Sequence, residues 1–405
     1  MKLNEDFLAR MRDATALLQS QGPVAATQAI QEALRGLGSA SGDAAEPTTA
    51  NATQHSDPVA PRDQAAPRVG RWMRGWDKQP ITDVYVHDML DGGAAGQSHP
   101  TAPEQDTKAT RKAGTGRFVR ASLSNRAGKR DYKVYIPSAY TGQALPVVVM
   151  LHGCKQNPDD FAHGTGMNLL AEENNCFVVY PAQAKRANGS NCWNWFEQRD
   201  QQRDQGEPSI IADITRKVIS QYGLDATRCY VAGLSAGGAM AAIMATRYPD
   251  LYAAVGVHSG LPVGAAHDVA SAFVAMHQGA ADGLPQKQGV PTIVFHGDRD
   301  TTVHPRNGQQ VLAQLSGGGA STGMQAQASI IEQQGRTPQG RAYTTTIHNA
   351  SDNTVVAEHW TVHGAGHAWS GGSAKGSYTD PSGPDASREM LRFFQAHTLA
   401  GGERK

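Results

Sequence analysis

Between Cys229 and Arg247 the sequence CYVAGLSAGGAMAAIMATR changes character within a few residues. An apolar run suited to a strand, CYVAGL, gives way at Ser235 to an Ala- and Met-rich stretch suited to a helix. A strand gains nothing from glycine at its end, yet Gly233, Gly237 and Gly238 crowd the serine. A sharp strand-to-helix turn does need them. The residue at its apex takes a strained backbone, so the positions two before and two after must be small. Gly233-Leu234-Ser235-Ala236-Gly237 satisfies that G-x-S-x-G pattern. The following helix would aim its N-terminal amides and its dipole at the serine. Ser235 is therefore the candidate nucleophile.

The surroundings repeat the strand–helix theme. PVVVMLHG and FVVYP are short continuous apolar runs, the pattern of strands buried on both faces of a parallel sheet. AAVGVHSG and PTIVFHGD read the same way. Helix-like stretches such as PSIIADITRKVISQYG and AMAAIMATRYP fill the intervals. Strands alternating with helices predict an α/β fold with a mostly parallel sheet. Ahead of it, FVRASLSNRAGKRDYKVYIP reads as two strands joined by a turn at Ala127-Gly128.

A serine hydroxyl needs a base to take its proton and an acid to orient that base. In this architecture the chain order is Ser, then Asp or Glu, then His. The segment IVFHGDRDTTVHP places Asp298 and Asp300 beyond the carboxyl end of an apolar strand, where ligands bind in open α/β sheets. Asp300, deeper in the loop, is preferred as the acid. WTVHGAGHAWSGG offers His363, at the end of a strand-like run, and His367, in a glycine-rich loop before Ala368-Trp369. His367 is preferred as the base. A metal site on the two histidines is opposed by Gly364 and Gly366, since the i, i+4 pair needs a helix. No cofactor or metal is expected. The oxyanion requires two backbone donors. One is the amide of Ala236; the other lies after VVVMLHG, where the Cys154 or the Lys155 amide can serve.

The motifs LHGCKQNPDDFA, NCWNWF, YVAGLSAGGAM, HGDRDTTVHP, GAGHAWSGG and TDPSGPDASREMLRFF occur in that order. Together they resemble the polyhydroxybutyrate depolymerase family of esterases, which is similar to feruloyl and acetylxylan esterases. The resemblance covers residues 117 to 396. It implies an α/β-hydrolase fold, a triad of Ser235, Asp300 and His367, and an ester, small or oligomeric, as substrate. Trp193, Trp195 and Trp369 are the expected substrate-contacting aromatics; for Trp193 and Trp195 the alternative is that they pin their loop by core packing. Cys154 and Cys192 follow strands that this fold makes neighbours, so a disulfide between them is expected in an oxidising compartment. Cys176 and Cys229 begin strands separated by one other and are expected to be buried thiols.

The resemblance begins late in the chain. Residues 1–36 read as an amphipathic helical segment, with Phe7, Leu8, Met11, Leu17 and Leu18 on one face and a break at Gly22-Pro23. The expectation for that segment is a helical hairpin that packs on its own chain or, by self-association, on a second copy. Residues 37–116 are rich in Ala, Pro, Thr, Ser and Gly, as a linker would be, with a docking segment near 70–90 that carries Trp72 and Trp76. The α/β-hydrolase domain is expected over 117–398. With 37 Lys+Arg against 37 Asp+Glu among 405 residues, nothing in the charge favours nucleic acid as a partner. No apolar run approaches the ~20 residues of a membrane span. The first residues lack the uninterrupted apolar core of a secretory signal, which favours a cytoplasmic location; an extracellular one is the family-based alternative.

Overall fold

The computed structural model describes residues 116–281, 289–316 and 329–399. The expected N-terminal helices and the Trp72–Trp76 segment lie outside the described residues. Twelve strands are described: β1 (Arg117–Asn125), β2 (Gly128–Ile136), β3 (Val147–Leu151), β4 (Phe177–Pro181), β5 (Cys229–Leu234), β6 (Ala254–His258), β7 (Thr292–Gly297), β8 (Ser329–Arg336), β9 (Ala342–Asn349), β10 (Val355–Val362), β11 (Trp369–Ser370) and β12 (Thr379–Asp380). The helices are α1 (Pro158–Thr165), α2 (Met167–Asn174), α3 (Gly206–Tyr222), α4 (Ala236–Arg247), α5 (Val269–Gln278), α6 (Arg306–Ser316) and α7 (Ala386–Gln395).

Ten strands form one sheet in the order β1-β2-β4-β3-β5-β6-β7-β10-β9-β8. From β4 through β10 every neighbouring pair is parallel, and antiparallel strands flank this core on both sides. The mostly parallel sheet read from the sequence is present. All residues of β3 to β7 are buried, as runs covered on both faces must be.

Alternation within each run sorts the core into two layers. Val147, Val149 and Leu151 of β3 pack with Ile210 and Ile214 of α3 and Met240 and Met244 of α4. Val148 and Met150 face the other way, toward Phe161, Leu170, Met390 and Phe394. Each such side chain, fully buried, contributes roughly 1.5–3 kcal/mol. Caps fix where the helices start. Asn157 accepts hydrogen bonds from the Asp159 and Asp160 amides at 2.9 and 3.0 Å, with Pro158 in the first turn of α1.

Chain order reverses at β3: the next strand, β4, lies to one side of it and β5 to the other. The loops leaving β3 and β5 lie at the carboxyl ends on either side of this switch point, the place where open α/β sheets bind their ligands. Ser235 stands there.

Candidate active site

Ser235 sits between β5 and α4 with φ 57° and ψ −120°, a region that L-residues rarely occupy. The neighbours explain how it is held there. A Cβ on Gly233 would overlap Gly237 O, and one on Gly237 would overlap Leu151 O and His152 O. The start of α4 thus lies against the carboxyl end of β3. A larger residue at either position would push these backbones apart. The Ser235 amide donates to His258 O at 2.9 Å, and the Ser235 carbonyl accepts the Ala239 amide at 2.9 Å.

His258 organises the site and was not anticipated as a functional residue. It pairs with Leu234 across β5 and β6, so its backbone lies beside the elbow. Its Nε2 accepts the Ser370 amide at 2.9 Å, and its ring stacks on Trp369 with centroids 5.0 Å apart. One residue therefore anchors both the serine turn and the loop that carries His367. Burial, with the fields of His296 and His367, lowers its pKa to about 3, so the ring stays neutral and keeps Nε2 as an acceptor. The available sequence signal was a histidine closing an apolar strand adjacent to the elbow strand.

His367 Nδ1 lies 2.7 Å from Asp300 Oδ2, and both side chains are largely buried. The other oxygen, Oδ1, accepts the Thr302 and Val303 amides at 2.9 Å each. His296 Nε2 donates to Val303 O at 2.9 Å and lies 3.5 Å from Asp300 Oδ2. Burial alone would raise the Asp300 pKa. The hydrogen bonds from His296 and His367, the His367 charge and the Val303 amide outweigh it and hold the carboxyl well below the usual carboxylate range.

The other two residues weighed from sequence pair with each other. His363 Nδ1 lies 2.9 Å from Asp298 Oδ2, Gly364 N donates to Asp298 Oδ1 at 2.6 Å, and His363 Nε2 contacts Thr344 Oγ1 at 2.8 Å. This couple is part-exposed. Among the described residues, no group of three or more His, Cys, Asp or Glu side chains is arranged to hold a metal ion.

The loop after β3 faces the elbow. The Lys155 amide donates to Ser190 O at 2.7 Å, whereas the Cys154 amide has no protein acceptor among the described residues. Cys154 is disulfide-bonded to Cys192, with Cα atoms 4.2 Å apart, while Cys176 and Cys229 are buried free thiols. The bridge ties this loop to the one after β4. A buried polar cluster lies beneath. Glu207 accepts from Arg130 Nη2 at 3.0 Å, from the Asn194 amide at 2.7 Å and from Gln183 Nε2. Burial raises the Glu207 pKa, opposed by the Gln183 and Asn194 hydrogen bonds.

The tryptophans require a correction. Trp193 is wholly buried and donates its indole N–H to His152 O at 3.1 Å. Trp369 is 1% exposed, donates to Ser387 Oγ at 3.0 Å and packs edge-on against Phe161. Trp195 is also buried within the core. Trp193 and Trp369 satisfy their N–H groups within the protein and pin the two loops from below, and Trp195 packs in the core, as the core-packing alternative expects.

Comparison with known proteins follows the same lines. Residues 130–329 match the model described as esterase PHB depolymerase. Poly(3-hydroxyalkanoate) depolymerase C of Paucimonas lemoignei is 31% identical over 247 residues, 58% of this chain and 57% of that protein. A probable acetylxylan esterase A of Aspergillus fumigatus is 27% identical over 235 residues, covering 53% and 62%. The chain thus spans less than two thirds of the length of these curated relatives. Among solved structures, an acetyl xylan esterase from Aspergillus awamori superposes with a TM-score of 0.54 at 22% identity, covering 69% of this chain and 99% of that one. That likeness carries the fold, the α/β-hydrolase fold. Over residues 130–329 the chain is thus similar to the esterase PHB depolymerase family.

Proposed function

We propose that the protein is a serine esterase that hydrolyses carboxylic esters through an acyl-serine intermediate. The observation that carries this reading is the buried His367–Asp300 couple, in a loop anchored through His258 to the same strand end as the strained Ser235. His367 removes the Ser235 Oγ proton as that oxygen bonds to the ester carbonyl carbon. The carbonyl oxygen becomes an oxyanion and accepts hydrogen bonds from the Cys154 and Ala236 amides. Collapse breaks the ester C–O bond, and His367 passes the proton to the departing alcohol. Water, losing a proton to His367, then attacks the acyl-serine; the proton returns to Ser235 and the acid leaves. Asp300 remains ionised throughout, and holds the imidazole with Nδ1 protonated.

The substrates proposed are short hydroxyalkanoate oligomers and related soluble esters, in keeping with the Paucimonas lemoignei depolymerase. A second reading, acetylated or feruloylated polysaccharide, is supported by the sequence similarity to the probable acetylxylan esterase A of Aspergillus fumigatus and to feruloyl esterase B of Neurospora crassa. The Cys154–Cys192 bridge suits an oxidising compartment. Purified protein is assayed on p-nitrophenyl esters, hydroxybutyrate oligomers, feruloyl esters and acetylated xylan. Turnover that falls by several orders of magnitude in Ser235→Ala supports the reading, and turnover that survives it refutes it.

A further inference from the structure

A backbone in the left-handed region suits glycine and is tolerated by Asn and Asp, whose short side chains bond locally. Asn175, Asn191, Asp204 and Asn353 hold such positions. Tyr378, with φ 53°, lacks that compensation, and among the described residues it is the one aromatic with a positive φ. It is also 44% exposed, so burial in the core does not account for the strain. Contacts on both sides hold it there. Ser377 O accepts Gln156 Nε2 at 3.0 Å, and the Ser377 amide donates to Asp160 Oδ1 at 2.8 Å. The same Gln156 side chain accepts the Gly153 amide at 2.9 Å, which ties this side to the loop that carries Cys154. On the other side, Tyr378 O accepts the Trp369 amide at 2.7 Å, and Thr379 pairs with Trp369 across β11 and β12. Trp369 follows His367 by two residues. A Cβ on Gly376 would overlap Gly164 Cα, so the segment also packs tightly on the end of α1.

Tyr378 is therefore bracketed between the loops that carry Cys154 and His367. The other exposed large apolar residues, Leu169, Phe273, Ile330 and Ile331, lie on α2, α5 and β8. Strain that surrounding contacts maintain at an exposed aromatic, beside a candidate nucleophile, marks a functional position. We propose that Tyr378 is a specificity-determining residue, whose ring packs on the apolar surface of the departing alcohol of an ester bound at Ser235. The alcohol side is assigned because His367 passes its proton to the alcohol oxygen, and the Tyr378 carbonyl is bonded to the loop that carries His367. This rests on the reading of the chain as a Ser235 esterase. A bulky apolar alcohol gains from the ring by stacking and by leaving water, whereas methanol gains little. Tyr378 thus takes the part expected of the tryptophans.

The test measures kcat/KM by pH-stat on benzyl acetate and methyl acetate, which share the acyl group, and on benzyl butyrate, which shares the alcohol. Tyr378→Phe keeps the ring; Tyr378→Gly removes it and suits the backbone. In Tyr378→Gly the preference for benzyl over methyl acetate should fall about tenfold, chiefly through KM, while the preference between butyrate and acetate moves less than about twofold. Tyr378→Phe should keep the wild-type preferences within about twofold. The melting temperature of Tyr378→Gly should equal or exceed that of wild type, because glycine relieves the strain. Equal loss on both acetates, no loss, or a change confined to the acyl series would overturn the proposal. So would a melting temperature lowered by several degrees alongside unchanged preferences, the mark of a purely structural tyrosine. Should Tyr378→Gly not fold, Tyr378→Asn, which also accepts this backbone, decides by the same ratios. Failure of the esterase reading appears separately, as turnover that survives Ser235→Ala; preferences unmoved while turnover depends on Ser235 refute the role of Tyr378 alone.

Discussion

Asp298 and Asp300 differ by two positions in sequence and by environment in the fold. Asp300 accepts two backbone amides and meets His367 in a buried setting, whereas Asp298 meets His363 at the surface. Sequence order could nominate an acid and a base, but it could not show that the two acids and two histidines partner in matched pairs. Asp300→Asn should lower kcat by about 10³–10⁴-fold, because an amide there favours the wrong tautomer of His367. Asp298→Asn should change it less than about threefold. Steady-state kinetics on one soluble ester decides, and the reverse ranking would move the assignment to the exposed couple. At the elbow, Gly237→Ala should destabilise the fold by about 1–3 kcal/mol or more, since its Cβ meets backbone that cannot swing aside. A melting temperature within a degree of wild type would count against that tight approach.

Elements were legible in proportion to their burial. β3 to β7 announce themselves as apolar runs, and the β1–β2 hairpin by its turn at Ala127-Gly128. β8 and β9 do not: β8 is exposed along nearly its whole length and shows no apolar face to read. Their place in the sheet comes from successive antiparallel pairing, β8 on β9 and β9 on β10, while β10 alone joins the core by its long-range parallel pairing with β7. The cluster beneath the loop after β3 was equally illegible, since Arg130, Gln183, Asn194 and Glu207 come together from separate parts of the chain. Tryptophans beside the motifs suggested a substrate wall, but the core claimed them. Removing one partner of the buried Arg130–Glu207 pair leaves an uncompensated group. Arg130→Leu should therefore cost about 3–5 kcal/mol, measured by urea unfolding. A cost below 1 kcal/mol would mean the cluster contributes little to holding the loop.

Across the whole molecule, buried imidazoles set an acid limit. His152, His359 and His397 are lowered to about 4 and His258 to about 3, each chiefly by burial. The folded state thus favours neutral rings that the unfolded chain would protonate below its ordinary value of 6.5. The associated stability is fully present above about pH 6.5 and is lost as pH falls toward 4, by up to about 1.4 kcal/mol per pH unit for each ring. Asp300, lowered as a carboxylate, gives up its contribution only below the usual carboxylate range, in a separate and more acidic window. Urea midpoints measured from pH 7 to 4.5 should fall steadily, and a flat profile would contradict neutral burial of these rings. The central claim concerns one atom, Ser235 Oγ. The most direct measurement is to quench the enzyme during turnover of a p-nitrophenyl ester and locate the acyl group by peptide mass spectrometry. An acyl group on Ser235, absent from Ser235→Ala, is the predicted result; turnover with the acyl group on another residue, or with none trapped on Ser235 under burst conditions, would contradict it.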